Sequence, residues 1–566
     1  MRKILNAKEY IAINEDIEKF VKEQLDDFET YANTSKTVHD AVWGTIDLES
    51  WEVELIDLPL FQRLRNIGQV GLAFLTYPTA NHSRFEHSLG VLAAANQMCI
   101  KINANTSDSV PKISQNNRNK IRLAALLHDI GHCFYSHLSE QIYGELPPFR
   151  DLRNLIKEQL NDIKPKPHEI LSFMIINSKS FKEYFVKKIS YPDKNDVDKL
   201  FYDIGKMIIG AKIEENNFIM SYLTDIINGS IDADKLDYIR RDSQTTGIAL
   251  TYDLDRLLSK ICIHQIIVDG KIENRLVLKF SGVNAIEEIT FCKIMLHSYI
   301  YYHHKVLAAD CMVKDYVYGI MSAHKLNSIK DFLRYDDNEI LNICDKGNKY
   351  RLFGKTDALD LYELSNKIKN RILPKRCFEI SQNNILFNKK ECIDPTEKFN
   401  EMYEKIRQKF SNENYTVSDF RADCFKISSI IASDQKPKLE LLISPFYKKD
   451  FSALLDEREK VFKEIQKEYE KRGKLCDFSI YDIYLIFPSE VSYKFGGDKI
   501  ILPRDGSDIL SVDDFIKLED WAAAFNSHKW RGYVSVSNKI DKKIAHDVVS
   551  KYILKDMAVF KKDIIF

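Results

Sequence analysis

The stretch "LAALLHDIGHCFYSH", residues 123–137, drives an apolar helical run straight into three histidines and an aspartate. Apolar residues at this spacing belong in a core, where an uncompensated carboxylate is costly to desolvate. Imidazole and carboxylate together suit a borderline divalent ion such as Mn, Fe, Zn or Ni, which would offset that cost. His128 and Asp129 point about 100° apart on a helix, so an ion shared by both lies at the helix edge. His132 follows one turn later on the His128 face, and Gly131 lets the chain bend there. An isolated His–Asp pair is more often a hydrogen-bonded core feature beside a helix C-terminus, so the rest of the chain decides.

The pair has company. In "NHSRFEHSLGVLAAAN" (81–96), Arg84 and His87 sit one turn apart at the start of another apolar helix. In "IINGSIDADKLDYIRRDSQTTGI" (226–248), Asp234, Tyr238 and Asp242 fall at i, i+4 and i+8, a polar stripe on a helix that also carries Leu236 and Ile239. Like charges two turns apart call for a cation or a basic contact. In "CKIMLHSYIYYHH" (292–304), Lys293, His297 and Tyr301 recur every four residues on one face, while Tyr299 and Tyr302 read as aromatic packing.

The order His87, His128–Asp129, Asp234 resembles the signature of the HD superfamily of metal-dependent phosphohydrolases. The blocks "FQRLRNIGQ", "RFEHSLGV", "LLHDIGHCFYSH" and "IDADKLDYIRRD", in order over about 36–306, are similar to its deoxynucleoside triphosphate (dNTP) triphosphohydrolases, including the dGTPases. The resemblance implies that His87, His128, Asp129 and Asp234 hold the transition metal, and that Mg arrives with the substrate triphosphate. It implies that His132, His137 and His168 contact phosphate and move protons, with Glu140 orienting His137. Arg84 and Lys235 would neutralise triphosphate charge. Tyr238 and Asp242 would meet the 3′-hydroxyl, and Gln69 the same sugar edge, with Val70 as the apolar wall against a 2′-hydroxyl. Lys293, His297 and Tyr301 match a phosphate- and nucleotide-gripping triplet whose first member is usually Arg; Lys keeps the charge but not the bidentate fork. Lys36, Asp57, Gln62, Arg65 and Arg256 match an activator-nucleotide site formed between subunits, which implies a homo-oligomer, dimer or tetramer. For Asp57, Gln62 and Arg65, capping and surface charge at the helix start "IDLPLFQRLR" explain the residues equally well.

Composition narrows the alternatives. The 566 residues are 45% hydrophobic and 29% charged with a formal net charge of −1, so no global field advertises nucleic acid or an anionic membrane. Ten scattered cysteines without C-x-x-C suggest reduced thiols and a cytoplasmic protein. No apolar run is long enough to span a bilayer and no signal peptide is evident.

Only 20 glycines and 14 prolines punctuate the chain, and 60–75, 121–132 and 287–321 show helical spacing. A hairpin is expected at 261–280 around an Asp-Gly. After about 375 the texture changes: 377–387, 438–444 and 478–487 read as strands, with a charged amphipathic helix near 447–472. The expectation is a mainly α protein: a helical extension (1–35), an HD phosphohydrolase domain (36–330) and a C-terminal α+β region (331–566) for oligomerisation or regulation. The expected reaction is hydrolysis of a dNTP to deoxynucleoside and inorganic triphosphate. The competitors are another HD nucleotidase or phosphodiesterase, which would not need Gln69, Tyr238 and Asp242 together, and a nucleotide sensor that does not turn over. Base preference and biological role, whether pool control, repair or defence by nucleotide depletion, are not legible.

Overall fold

The apolar run ahead of the His–Asp pair forms the helix Gln115–Leu127 in the computed structural model of the chain, capped by Ser114, whose side chain accepts from the Asn117 N–H. Residues 7–29, 34–160, 163–215, 217–381, 383–387, 442–446, 450–488, 499–504, 508–516, 529–555 and 558–560 are described, with a few isolated positions. From Asn119 to Leu127 every residue of this helix is buried. Its two buried cations are both matched, Arg122 by Glu52 through Nε to Oε1 at 2.6 Å and Lys120 by Glu215 through Nζ to Oε1 at 2.8 Å, because a lone charge at that depth would be prohibitive.

Two further helices complete the frame of the site. Arg84–Asn105 starts at a capping box in which Ser83 and Glu86 satisfy each other's backbone donors. Ala233–Thr246 starts at Asp232, whose side chain accepts from the Lys235 N–H. These two helices approach so closely that a Cβ on Gly90 would lie 1.8 Å from Asp237 Oδ1, so only glycine fits.

Two expected helices are broken. Residues 60–75 form a turn of helix at Pro59–Gln62 and two 3-10 segments, Arg63–Asn66 and Gly71–Leu75, because Gly68–Gly71 turns the chain, with Gly71 at φ +52°. The run 287–321 is divided into Val283–Leu296, a π turn at His297–Tyr301 and His304–Ser322. Such a turn often marks a functional position. Asp57, expected at a helix start, instead ends the helix Ser50–Ile56.

The hairpin forms as read: Ile261–Val268 pairs with Lys271–Lys279 across Asp269 and Gly270, both at positive φ as its tight turn requires. Toward the C-terminus, Gly532–Val536 lies between Lys375–Ile380 and Ile483–Ile486 in an antiparallel sheet, and the amphipathic helix Phe451–Lys471 forms as expected. Of the strand expected at 438–444, residues 438–441 lie outside the described residues and Leu442–Ile443 are helical. The sheet-bearing region is tied to the helical one by a buried ion pair, Arg458 Nη1 to Asp315 Oδ2 at 2.7 Å. The strand Lys499–Leu502 also pairs in parallel with the hairpin strand. The N-terminal helix Lys8–Leu25 buries Ile13, Ile17, Phe20 and Val21 in the same connected core. The architecture is mainly α with a smaller C-terminal α+β part. Among the described residues, no helix is long and apolar enough to cross a membrane, and the eight described cysteines are unpaired thiols.

Candidate active site

The helix Gln115–Leu127 ends at the residue before His128, and residues 128–136 coil through the interior instead of continuing it. Gly131 is needed here for close approach: a Cβ would stand 2.4 Å from both His168 O and Ser172 N on the helix Pro167–Asn177. That contact brings His168 to the His–Asp pair. The coil ends in Tyr135 and Ser136, both at φ +51°, a conformation that costs roughly 1–3 kcal/mol per residue.

Two polar clusters result. In the first, the ligand-capable atoms of His87, His128 and Asp234 lie within 4.8 Å of one another. His87 Nε2 stands 3.1 Å from Asp234 Oδ1 and 3.7 Å from Asp129 Oδ2, and His128 Nε2 is 3.3 Å from Asp129 Oδ1. The outer nitrogens are fixed: His87 Nδ1 on Asp237 Oδ2 at 2.7 Å, and His128 Nδ1 on Ala125 O at 2.8 Å. Among the described residues, the inner Nε2 atoms of both are buried and make no well-formed hydrogen bond, His87 Nε2 facing Asp234 only as an ion-pair contact. Oriented imidazoles whose free nitrogens converge with two carboxylates are what a divalent metal requires, so the residues fit the ion.

In the second cluster, Glu140 Oε1 is shared by His168 Nδ1 at 2.5 Å, His137 Nδ1 at 3.3 Å and His132 Nδ1 at 3.4 Å. Expected to orient His137, Glu140 lies closest to His168. The rings of His132 and His168 stack at 3.9 Å. Burial opposes charge on Glu140, but His168 and His137 outweigh it and hold the carboxyl well below its ordinary range. Burial likewise opposes charge on His168, yet Glu140 raises it. Burial, Arg84 and His168 push His132 far down, so it is neutral.

A cavity of about 550 Å³ opens between the clusters and the helix His304–Ser322. Of the expected groups, Asp129, Asp234, His128, His137 and His168 line it, as do Gln69, Val70, Arg84, Lys235, Tyr238 and Asp242, and so do Lys293, His297 and Tyr301. His87 and His132 stand behind the wall, fully buried. Arg84, expected to meet triphosphate, is already engaged: Nη1 on Asp129 Oδ2 at 2.7 Å, Nε on Ser136 Oγ at 2.9 Å and Nη2 on Gln69 O at 3.3 Å. Lys235 Nζ donates to Gly229 O at 2.8 Å and pairs with Asp232. Asp242 accepts from Tyr301 Oη and contacts His82 Nε2 at 2.8 Å, while Gln69 Oε1 is a buried acceptor with no partner.

The five residues of the expected activator site do not line this cavity. Asp57 and Arg65 are exposed, Arg65 Nε donates to Gln62 Oε1 at 2.8 Å, and Arg65 covers the Phe85 ring. Lys36 opens the separate hairpin strand Lys36–Asp40, and Arg256 lies on the short helix Leu254–Leu258.

The domain model described as HD domain matches residues 84–242, and that described as HD associated region matches 253–416. Both clusters and the polar stripe fall inside the first span. The chain is an HD-domain protein. An uncharacterized protein of Methanocaldococcus jannaschii is 32% identical over 58% of this chain and 59% of its own length. The SAMHD1 homolog of Dictyostelium discoideum, named a deoxynucleoside triphosphate triphosphohydrolase, is 28% identical over 61% of each chain. The human protein of that name is 28% identical over 61% of this chain and 51% of its own. The aligned segments thus span roughly half to three-fifths of these relatives. A hypothetical protein from Aquifex aeolicus shares the fold at TM-score 0.53 and 19% identity, over 91% of this chain and all of that one. The site lies within the HD domain, and its His87, His128 and Asp234 cluster could hold a divalent ion.

Sequence reading did not single out His82, Ser136, Asp237, Lys166 or Asp337. His82 and Asp237 lie inside the quoted motifs and brace Asp242 and His87. Lys166, at the cavity mouth, caps the helix that carries His168. Asp337 comes from far along the chain: Oδ1 accepts from Tyr135 N–H at 2.5 Å and Oδ2 from Gly68 N–H at 2.9 Å. It thereby fastens the two backbone segments that carry Ser136–His137 and Gln69. No local pattern signals it.

Proposed function

We propose that this protein hydrolyses dNTPs to deoxynucleoside and inorganic triphosphate. The observation that carries this reading is one cavity lined by three sets of groups. Metal-binding residues and proton-carrying histidines lie beside a sugar-sized polar edge of Gln69, Tyr238, Asp242 and Tyr301. The names of the Dictyostelium and human relatives support it. A divalent ion held by His87, His128, Asp129 and Asp234 supplies Lewis acidity and an activated water when bound. Burial opposes the charge of Asp129, but His128 and Arg84 keep it ionised and ready to ligate.

The chain's own groups do the rest. His168, whose pKa Glu140 raises against burial, offers its ring N–H, and positive charge when protonated, to the phosphates. His137, whose side chain is 55% exposed while His132 is wholly buried, delivers the proton to the departing 5′ oxygen. His132 supports from behind as a neutral stacking partner. Val70 at the sugar edge stands against a 2′-hydroxyl, which would be left unpaired there. An activator nucleotide between copies of the chain, on Lys36, Asp57, Gln62, Arg65 and Arg256, belongs to the same reading.

The test is anion-exchange analysis of products from each dNTP alone and from all four together, with Mn²⁺ or Mg²⁺, beside Asp129→Ala. Triphosphate and deoxynucleoside from wild type only are expected; their appearance only in the mixture would reveal the activator. Mono- or diphosphate products would place the protein among other HD phosphohydrolases.

A further inference from the structure

The cavity has a third region that neither the metal chemistry nor the sugar edge accounts for. Besides the groups already described, its wall includes Leu138, Val306 and Leu307, with two polar side chains, Gln141 and Asp310. Val306 and Asp310 follow at i and i+4 along the helix His304–Ser322, so they share one face. An apolar slot with a few polar groups at its far end is how a planar ligand is held and read. With phosphates at the histidines and sugar at Asp242, the base of a nucleotide falls here.

Asp310 is the informative group. It has no hydrogen bond or ion pair among the described residues; only the charge of Lys314, one turn on, acts on it. Lys314 is itself committed, its Nζ donating to Gln141 Oε1 at 2.5 Å. That bond holds the Gln141 amide at the slot's edge. Half-buried in the wall, the Asp310 carboxyl is pushed up to about 7 by burial. A pocket carboxyl without a partner is an acceptor waiting for donors.

We infer that Asp310, with Gln141 beside it, reads the Watson–Crick edge of the nucleobase and favours bases that carry an exocyclic amino group over thymine. Guanine presents a ring N–H and an amino group side by side to both carboxylate oxygens. Adenine and cytosine present an amino group beside a ring nitrogen, which suits the protonated acid. Thymine flanks its single N–H with two carbonyls, so a second carboxyl oxygen meets like partial charge. The inference rests on the dNTP reading for what fills the cavity and adds which part of it is discriminated.

Inosine isolates the effect, because dITP differs from dGTP only by the missing amino group. The experiment is calorimetric binding of dGTP, dITP, dTTP and inorganic tripolyphosphate to the full chain with Ca²⁺, for wild type, Asp310→Asn and Asp310→Ala. Wild type should bind dGTP about tenfold more tightly than dITP, the worth of one hydrogen bond to a charged acceptor. Both variants should bring that ratio near one while tripolyphosphate affinity holds, which shows that the phosphate end and the fold persist. A wild-type ratio within twofold, or a ratio that survives in both variants, would overturn the inference. If dNTPs bind with this preference but no triphosphate is released in the product assay, the hydrolytic reading fails and the base reading stands. If no dNTP binds, both fall.

Discussion

Asp337→Ala should uncouple catalysis from folding. The carboxylate accepts two backbone N–H groups, at 2.5 Å from Tyr135 in the catalytic coil and at 2.9 Å from Gly68 in the turn before Gln69. Burial pushes the Asp337 carboxyl up to about 7, so above that pH it is a charged acceptor, whose hydrogen bonds contribute about 1.5–3 kcal/mol each, roughly 3–6 kcal/mol for the pair. Against this, the coil relaxes once released. Tyr135 and Ser136 at φ +51° each recover about 1–3 kcal/mol by leaving the left-handed region. The roughly 3–6 kcal/mol lost and roughly 2–6 kcal/mol recovered nearly cancel, so the chain stays folded. Geometry suffers more. Ser136 Oγ both holds Arg84 Nε and donates to Gly68 O, so the release displaces Arg84 and His137 together. A misplacement near 1 Å costs on the order of 10²-fold in rate. The expected result is kcat down ten- to hundredfold, KM for the nucleotide changed less than threefold, and a thermal midpoint within a few degrees. Asp337→Asn keeps one acceptor and should fall between. Steady-state kinetics and a thermal melt on the same preparation decide it. Wild-type kcat in Asp337→Ala would refute the bracing role, and a collapse of the melt would show that the residue holds the fold instead.

Arg458→Ala leaves Asp315 as an unpaired buried carboxylate and should destabilise the protein by about 3–5 kcal/mol, whereas a joint Arg458→Met, Asp315→Leu change should be nearly neutral; urea titration compares them. Metal removal by chelation should lower the thermal midpoint, because converging His87, His128, Asp129 and Asp234 then lack a counter-charge; Mn²⁺ should restore it, and an unchanged midpoint would argue against a bound ion. Burial, with Lys293 and His137 nearby, lowers His297 to about 3. The unfolded chain therefore binds this proton more readily, and stability present above about pH 6.5 is lost as pH falls toward 3. His297→Gln should flatten the stability profile between pH 6 and 4; an identical acid slope would contradict a neutral His297.

Much of the site was legible because its residues lie at helical spacing inside short motifs. Periodicity alone places Asp234, Tyr238 and Asp242 on one face, and the same holds for Lys293, His297 and Tyr301. Helical pattern misled where a few residues override it. Gly68–Gly71 breaks 60–75, and a π turn divides 287–321, since apolar spacing does not register one extra residue in a turn. Gly131 reads as a bend in the sequence, and the structure adds that the backbone of another helix leaves no room there for a Cβ.

By itself, then, the sequence determined the chemistry: which helices carry imidazole and carboxylate, and that these suit a divalent ion and phosphate. Local periodicity and side-chain type suffice for that. Tertiary structure decided the roles. It set His132 behind the wall and His137 at the mouth, turned Glu140 toward His168, and committed Arg84 to Asp129. It brought Asp337 to the catalytic coil and left Asp310 facing an apolar slot. These outcomes depend on which segments distant in sequence meet, and on the burial and charge at each meeting point, quantities that no window of sequence contains.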